Sequence, residues 1–225
     1  MTSKFLYLAK LFLTKNKKMK KVILSALAVM AFGIANAQDV KFGLKGGLYV
    51  SNFSGDTEGL DFKSRFGFNV GAFAEIKFSE QFALQPEVLY STQGARVEDF
   101  GVQVDEFGFF TADASFNLAY INVPVMFKYF ATEKFSLEAG PQIGFLVSAK
   151  LKTEVDGYGS NTQDIKDNFE SIDFGLNLGA GYDFTENFSV SARYNLGLAN
   201  IANTEEGDDS KLHNGVFSLS AGYKF

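Results

Sequence analysis

His213 is the one histidine of the sequence, and Asp208, Asp209 and Ser210 stand just before it. A histidine oriented by a carboxylate is the minimal general base, the pairing a proteolytic or lipid-modifying barrel would use. A lone loop histidine among ordinary acidic neighbours is, however, read as a solvated residue, so no catalytic residue is assigned. A second set of polar residues, Asp56, Glu58, Glu98, Asp99, Asp105, Glu106, Glu205, Glu206, Asp208 and Asp209, has the oxygen ligands that calcium prefers. None of it has EF-hand spacing, and it reads as a solvated acidic rim. Gly175-Leu176-Asn177-Leu178-Gly179 looks superficially like a phosphate loop but lacks the strand-to-helix setting which that motif needs. With no cysteine, thiolate zinc sites, disulfides and cysteine nucleophiles are excluded. No metal and no cofactor is expected. The remaining chemistry lies in charges placed inside alternating segments, above all Lys45, Glu75, Glu87, Glu138 and Arg193.

The segments that carry those charges repeat with period two, the signature of strands. Phe217, Leu219, Ala221, Tyr223 and Phe225 alternate with Ser218, Ser220, Gly222 and Lys224. Phe188, Val190, Ala192, Tyr194 and Leu196 alternate with Ser189, Ser191, Arg193, Asn195 and Gly197, and 172–184 behaves likewise. With 40–50, 66–78, 82–92, 118–130 and 135–149, the pattern predicts eight strands, each long enough to cross a bilayer when tilted. Three connections are tight, at 79–81, 131–134 and 185–187. Four are long and polar, at about 52–65, 93–117, 150–170 and 199–213. Phe82, Phe135 and Phe188 follow the tight turns at a constant interval and open similar phrases, an internal repeat of one hairpin plus one long loop. The pairs Phe78/Phe82, Phe130/Phe135 and Phe184/Phe188 predict an aromatic girdle along the tight-turn edge. Within the longest loop, Phe107-Gly108-Phe109-Phe110 would either dock a partner or extend the flanking strands as a hairpin, and the hairpin is favoured.

Composition sets the limits. The chain holds 26 Phe and 22 Gly in 225 residues, with 46% hydrophobic residues, a net charge of −5 and a mean hydropathy near zero. Disorder does not suit this balance, and an acidic chain is a poor nucleic-acid partner. Residues 1–37 hold lysines and no acid, so the acidic excess lies wholly after them. Met19-Lys20-Lys21, the apolar run Val22 to Ile34 and Ala35-Asn36-Ala37 read as a secretory signal with cleavage after Ala37. The apolar run is too short for a transmembrane anchor, which needs about 20 residues. Met19 alone opens a complete signal, so it is the expected start. The chain then divides into 1–37 as extension plus signal and 38–225 as the folded domain.

Period two does not say which face points outward. A lipocalin-like carrier would turn its apolar face to an inner cavity. Here the polar face carries Lys41, Lys45, Glu75, Lys77, Glu87, Lys128, Glu138, Asp173, Asp183, Arg193 and Lys224 among many glycines. A crowded barrel interior favours glycine, and lipid is the natural solvent for a continuous apolar face. Eight strands leave a lumen that side chains fill. Lys45, Glu75, Glu87, Glu138 and Arg193 are therefore expected to pair across it as a closing network, with an ion or proton path as the alternative.

With these phrases in place, the chain resembles the small outer-membrane β-barrel proteins of Bacteroidota, labelled "porin family" or PorT-like. The resemblance spans 38–225. It is carried by Phe42 to Gly47 with Ser51-Asn52-Phe53, Leu84 to Ser91, Tyr120 to Val125, Glu138 to Gly144, Ala192 to Leu198 and Ser220 to Phe225. It implies an all-β, eight-stranded, antiparallel up-and-down transmembrane barrel of the OmpA/OmpX kind in the outer membrane. It implies insertion by the barrel-assembly machinery, and it brings no catalytic residue. Tyr223 and the terminal Phe225 match the usual assembly signal of such barrels. The function expected is a structural or interaction role through long external loops, as a monomer. Its surroundings would be outer-membrane lipids and lipopolysaccharide, with an unidentified protein partner at the loops. A narrow porin-like channel is the first alternative and a barrel enzyme the second.

Overall fold

The structure is a computed structural model that describes residues 39–55, 61–104, 108–155, 157, 159–203 and 211–225. The expected signal segment lies outside the described residues. So do Gln38, Phe107, Ser210 and all of the loop acids except Glu98 and Asp99.

Among the described residues, nine strands form one antiparallel sheet: β1 (Asp39–Gly55), β2 (Lys63–Lys77), β3 (Phe82–Val104), β4 (Gly108–Phe130), β5 (Phe135–Val155), β6 (Gly159–Asp164), β7 (Ile172–Asp183), β8 (Phe188–Gly197) and β9 (Leu212–Lys224). Eight of them close on themselves. β1 pairs with β2 and β9, β4 with β3 and β5, and β5 with β7, so every barrel strand has two neighbours. The ninth, β6, is not a stave. It pairs only with the outer end of β5.

The tight turns are built alike. In each, a hydroxyl accepts the backbone N–H of the phenylalanine that opens the next strand: Ser79 for Phe82, Thr132 for Phe135 and Thr185 for Phe188. That shared chemistry is what the sequence repeat encodes.

The long connections differ from expectation. Most of 93–117 is strand, because β3 and β4 each run 23 residues and stay paired to Val104 and Gly108. A bilayer needs only about 10 tilted residues, so this hairpin stands well above it. Gly108-Phe109-Phe110 lies within it, paired with Val102 to Val104. The segment 150–170 likewise holds the end of β5, β6 and a 3-10 turn at Lys166–Asn168. The inward side there is still buried, but largely by small residues such as Ala95, Ala112 and Ala114, so the apolar alternation that reveals strands is weak in the sequence.

Side chains sort as expected for a barrel in lipid. Leu44, Leu48, Phe66, Phe68, Leu178, Leu219 and other large apolar residues project outward and exposed. Lys45, Glu75, Glu87, Lys128, Glu138, Arg193 and Lys224 are buried inside. Phe78, Phe82, Phe127 and Tyr129 pack ring to ring at the tight-turn edge, as do Tyr182, Phe184 and Phe188 on the far side. Phe130 corrects the girdle. It is 4% exposed, shares the inward side of β4 with Lys128 and lies beneath the ammonium groups of Lys77 and Lys128. Tyr129 takes the outward place instead.

Candidate functional site

The lumen is ordered in tiers along its axis. Nearest the tight turns is an ionic cluster. Glu87, on β3, accepts from Lys45 of β1 at 3.2 Å, from Arg193 Nη1 of β8 at 2.8 Å and from Gln85 at 2.7 Å. The same Arg193 donates through Nε to Glu138 of β5 at 2.5 Å. Four of the five residues expected to pair are therefore one network. Glu75 is not bonded directly to the other four. It accepts from Lys128 at 2.7 Å and Lys224 at 3.1 Å, and Lys224 continues to Asp183 at 2.9 Å. Lys128 joins the halves, lying 3.6 Å from Glu138 and donating to Gln85 at 3.2 Å.

Lys128, Lys224, Asp183 and Gln85 are the members the pattern did not single out. They sit near strand ends, where the sequence alone offers no depth along the axis. Their signal was nonetheless present, since the three charged ones occupy the polar face. The completed cluster has four cations (Lys45, Lys128, Arg193, Lys224) and four carboxylates (Glu75, Glu87, Glu138, Asp183). It is internally neutral, as burial demands. A cavity of about 10 Å³ beside it is room for one water at most. Phe73 fills the adjacent space. A Cβ on Gly43 would run into its ring, so this glycine makes the room it occupies, whereas one on Gly222 would press first on Ser189 Oγ.

Above the charges lies a tier of amides and hydroxyls. Asn69 donates to Ser220 at 3.0 Å, Asn122 to Ser91 at 2.8 Å, Asn177 to Gln142 at 3.2 Å and Asn214 to Asp173 at 2.7 Å. Above these the lumen becomes apolar. Phe53, Leu118, Tyr120 and Leu146 from the staves meet Ile165, Phe169 and Ile201 from the connections as one buried cluster. Polar loops alone did not predict this cap.

His213 lies half-buried at the start of β9, with Nδ1 2.8 Å from the carbonyl oxygen of Ala199. Its sequence neighbours Asp208, Asp209 and Ser210 lie outside the described residues. Among the described residues no group of acids, histidines or cysteines could hold a metal ion. Tyr223 and Phe225 project outward from the last strand, edge to face at 5.6 Å, and the N–H of Phe225 donates to Phe42.

No curated protein matches the sequence. Among solved structures, the chain is similar to Ail, the attachment invasion locus protein of Yersinia pestis, at 19% identity, 84% coverage of this chain, 100% of that one and a TM-score of 0.49. Neisserial surface protein A is similar at 18% identity, with 84% and 100% covered and a TM-score of 0.49. OprG from Pseudomonas aeruginosa is similar at 14%, with 84% and 98% covered and a TM-score of 0.40. A family model described as the outer membrane protein beta-barrel domain matches residues 36–203, most of the chain. That match takes in β1 to β8, with β9 closing the ring beyond it, and the chain belongs to the outer membrane protein beta-barrel domain family.

Proposed function

We propose that this outer-membrane protein is a closed, monomeric barrel with a structural or interaction role, exercised by the sheet that stands above the membrane and not by catalysis. The observation that carries the reading is the neutral ionic cluster, whose charged side chains are 0–13% exposed and are joined from wall to wall. A path for ions needs water along the axis, and the apolar cap supplies no polar partner for it. The test is conductance of the purified barrel in a planar bilayer. No stable conductance is expected, and a large, stable one overturns the closed lumen in favour of the porin-like alternative.

The barrel-enzyme alternative needs His213 as a base. Its Nδ1 faces a backbone carbonyl and not a carboxylate oxygen, which supports a positional role. Retention of any measured lipid-modifying or proteolytic activity after His213→Ala confirms that role. The finer kinship with the Bacteroidota "porin family" or PorT-like barrels rests on the sequence phrases given above. Residues 1–37 act, in this reading, as a removable export signal, and N-terminal sequencing of the mature protein should begin at Gln38. Tyr223 and Phe225 serve the barrel-assembly machinery, supported by their outward exposure of 51% and 70% at the end of the last strand. The hairpin of β3 and β4 offers an external partner a surface well clear of lipid.

A further inference from the structure

Three buried oxygens at the outer end of the polar lumen have no partner in the protein. Asp173 on β7, Asn214 on β9 and Tyr120 on β4 are 5%, 1% and 0% exposed. Among the described residues, Asp173 Oδ1, Asn214 Oδ1 and the Tyr120 hydroxyl make no hydrogen bond. The three groups are neighbours. Asn214 donates through Nδ2 to Asp173 Oδ2 at 2.7 Å. The Tyr120 hydroxyl reaches toward both, without completing a hydrogen bond to either. A Cβ on Gly144 would stand 3.3 Å from the Tyr120 ring and 3.5 Å from Asp173 Cβ, so both side chains border one point of the lumen. Asn195 stands level with Asn177 on the side of the tight turns. Its Nδ2 also lacks an acceptor, so that side offers a proton donor and not a ligand.

Charge decides what the oxygens hold. Glu75, Glu87, Glu138 and Asp183 are each ion-paired, whereas Asp173 has no ion pair among the described residues. The ionic cluster is neutral in itself and has no cation to spare. Lys41 and Lys77 stand at the opposite end, beside the tight turns, and Arg65 is coupled to Arg96. The field of His213 does reach Asp173, but its ring is on the other face of β9 from Asn214, with Nδ1 against Ala199. A buried carboxylate without a counter-charge is costly. Water would satisfy the oxygens but leave the charge. Oxygen ligands suit a hard cation, and one carboxylate balances a single positive charge where a divalent ion takes several. We infer that Asp173, Asn214 and Tyr120 form a buried site for one small monovalent cation of the sodium class. The site lies between the ionic tier and the apolar cap, so the ion is taken up while the ring closes. That seal, though not the site, rests on the closed lumen proposed above.

The test uses the full mature barrel, refolded in neutral-detergent micelles at mildly alkaline pH and dialysed to equilibrium against radiosodium chloride, with N-methylglucamine as the replacement cation. The wild type should bind about one sodium ion per barrel, the count that neutralises one carboxylate. D173N keeps the shape, removes the charge and should lose that ion, its fold checked by heat-modifiable migration. Y120F keeps the carboxylate and removes one ligand oxygen. It should raise the half-saturating sodium concentration about tenfold, the size of one bond to a charged group, and it carries the test if D173N does not fold. No binding by the wild type overturns the site, because a proton then neutralises Asp173. Equal binding by D173N, or an unchanged half-saturating concentration in Y120F, also overturns it, because the ion is then held elsewhere. Gel filtration into sodium-free buffer reads the seal separately. Slow release is expected, and release within the run counts against the closed lumen and not against the site.

Discussion

Glu87→Gln isolates the contribution of the ionic cluster, because it changes one charge and little volume. Glu87 is fully buried and accepts two charged bonds, from Lys45 and Arg193, and one neutral bond from Gln85. Each charged bond contributes about 1.5–3 kcal/mol and the neutral one about 1. The amide retains the shape and part of the bonding, but the lumen is left with one uncompensated positive charge. Breaking a buried pair from one side costs about 3–5 kcal/mol, and that is the expected loss in E87Q. Lys45 has no other ion-pair partner among the described residues, so K45M/E87Q restores neutrality and should recover about 1–3 kcal/mol relative to E87Q. Urea unfolding in detergent micelles, followed by circular dichroism and gel mobility, measures both. E154Q is the control. Its pair with Lys152 is half exposed, and its loss should be within about 0.5 kcal/mol. An E87Q barrel within about 1 kcal/mol of wild type, or strictly additive effects in the double variant, would mean that water already screens the cluster and would refute the packed lumen.

Gly71→Val should prevent closure, because a Cβ at that position meets the Val88 carbonyl oxygen and the Leu89 Cα of the neighbouring backbone. The readout is loss of the heat-modifiable folded band, with Gly101→Ala, where nothing lies within 4 Å, expected to fold normally. Phe169→Ala removes a ring that is 8% exposed within the apolar cap. It should lower stability by about 3 kcal/mol or more in the same urea assay, yet leave the bilayer silent, since the ionic tier still closes the lumen. Deleting Phe225 should reduce outer-membrane accumulation in cells while refolding in detergent persists. Loss of both would make Phe225 one more structural contact.

The strand segments with lipid on one side and the polar lumen on the other were legible, and their extensions beyond that band were not. In β9, Phe217 to Phe225 alternates without exception because one side meets lipid and the other a polar lumen, and the structure has that register. Above the membrane the lipid-facing side is lost, and the inward side is filled largely by small residues such as Ala95, Ala112 and Ala114. The outer portions of β3, β4 and β5 mix Arg96, Glu98, Asp113, Lys152 and Glu154 among small residues, so they read as loop although their ladders continue. Phe130 was misplaced for a related reason. Adjacency to a turn suggested a girdle residue, whereas parity with Lys128 already pointed inward. Partnership was the least legible quantity. The polar face of each strand could be named, but whether Glu75 would find Lys128 or Arg193 depends on relative depth around a closed ring, which no single segment contains.

That ring supplies a reason for the charges that pairwise stability does not. Each of the eight staves contributes one member: Lys45, Glu75, Glu87, Lys128, Glu138, Asp183, Arg193 and Lys224 lie on β1, β2, β3, β4, β5, β7, β8 and β9 in turn. A buried ion pair is often no better than a hydrophobic one of the same volume, so stability alone would not favour this arrangement. Register does. Slipping any one strand by a residue turns its whole inward set outward. It would place a charge against lipid, at a cost of up to about 2–4 kcal/mol for a Lys or Arg at the midplane and less for a carboxylate or nearer the tight turns, and it would leave the opposing charge unpaired within the lumen. An apolar lumen would impose neither penalty, because a slipped strand would then present apolar residues to both sides. One charge per strand makes every misregistered closure costly twice over, so the cluster selects the single ring in which all eight strands are correctly set.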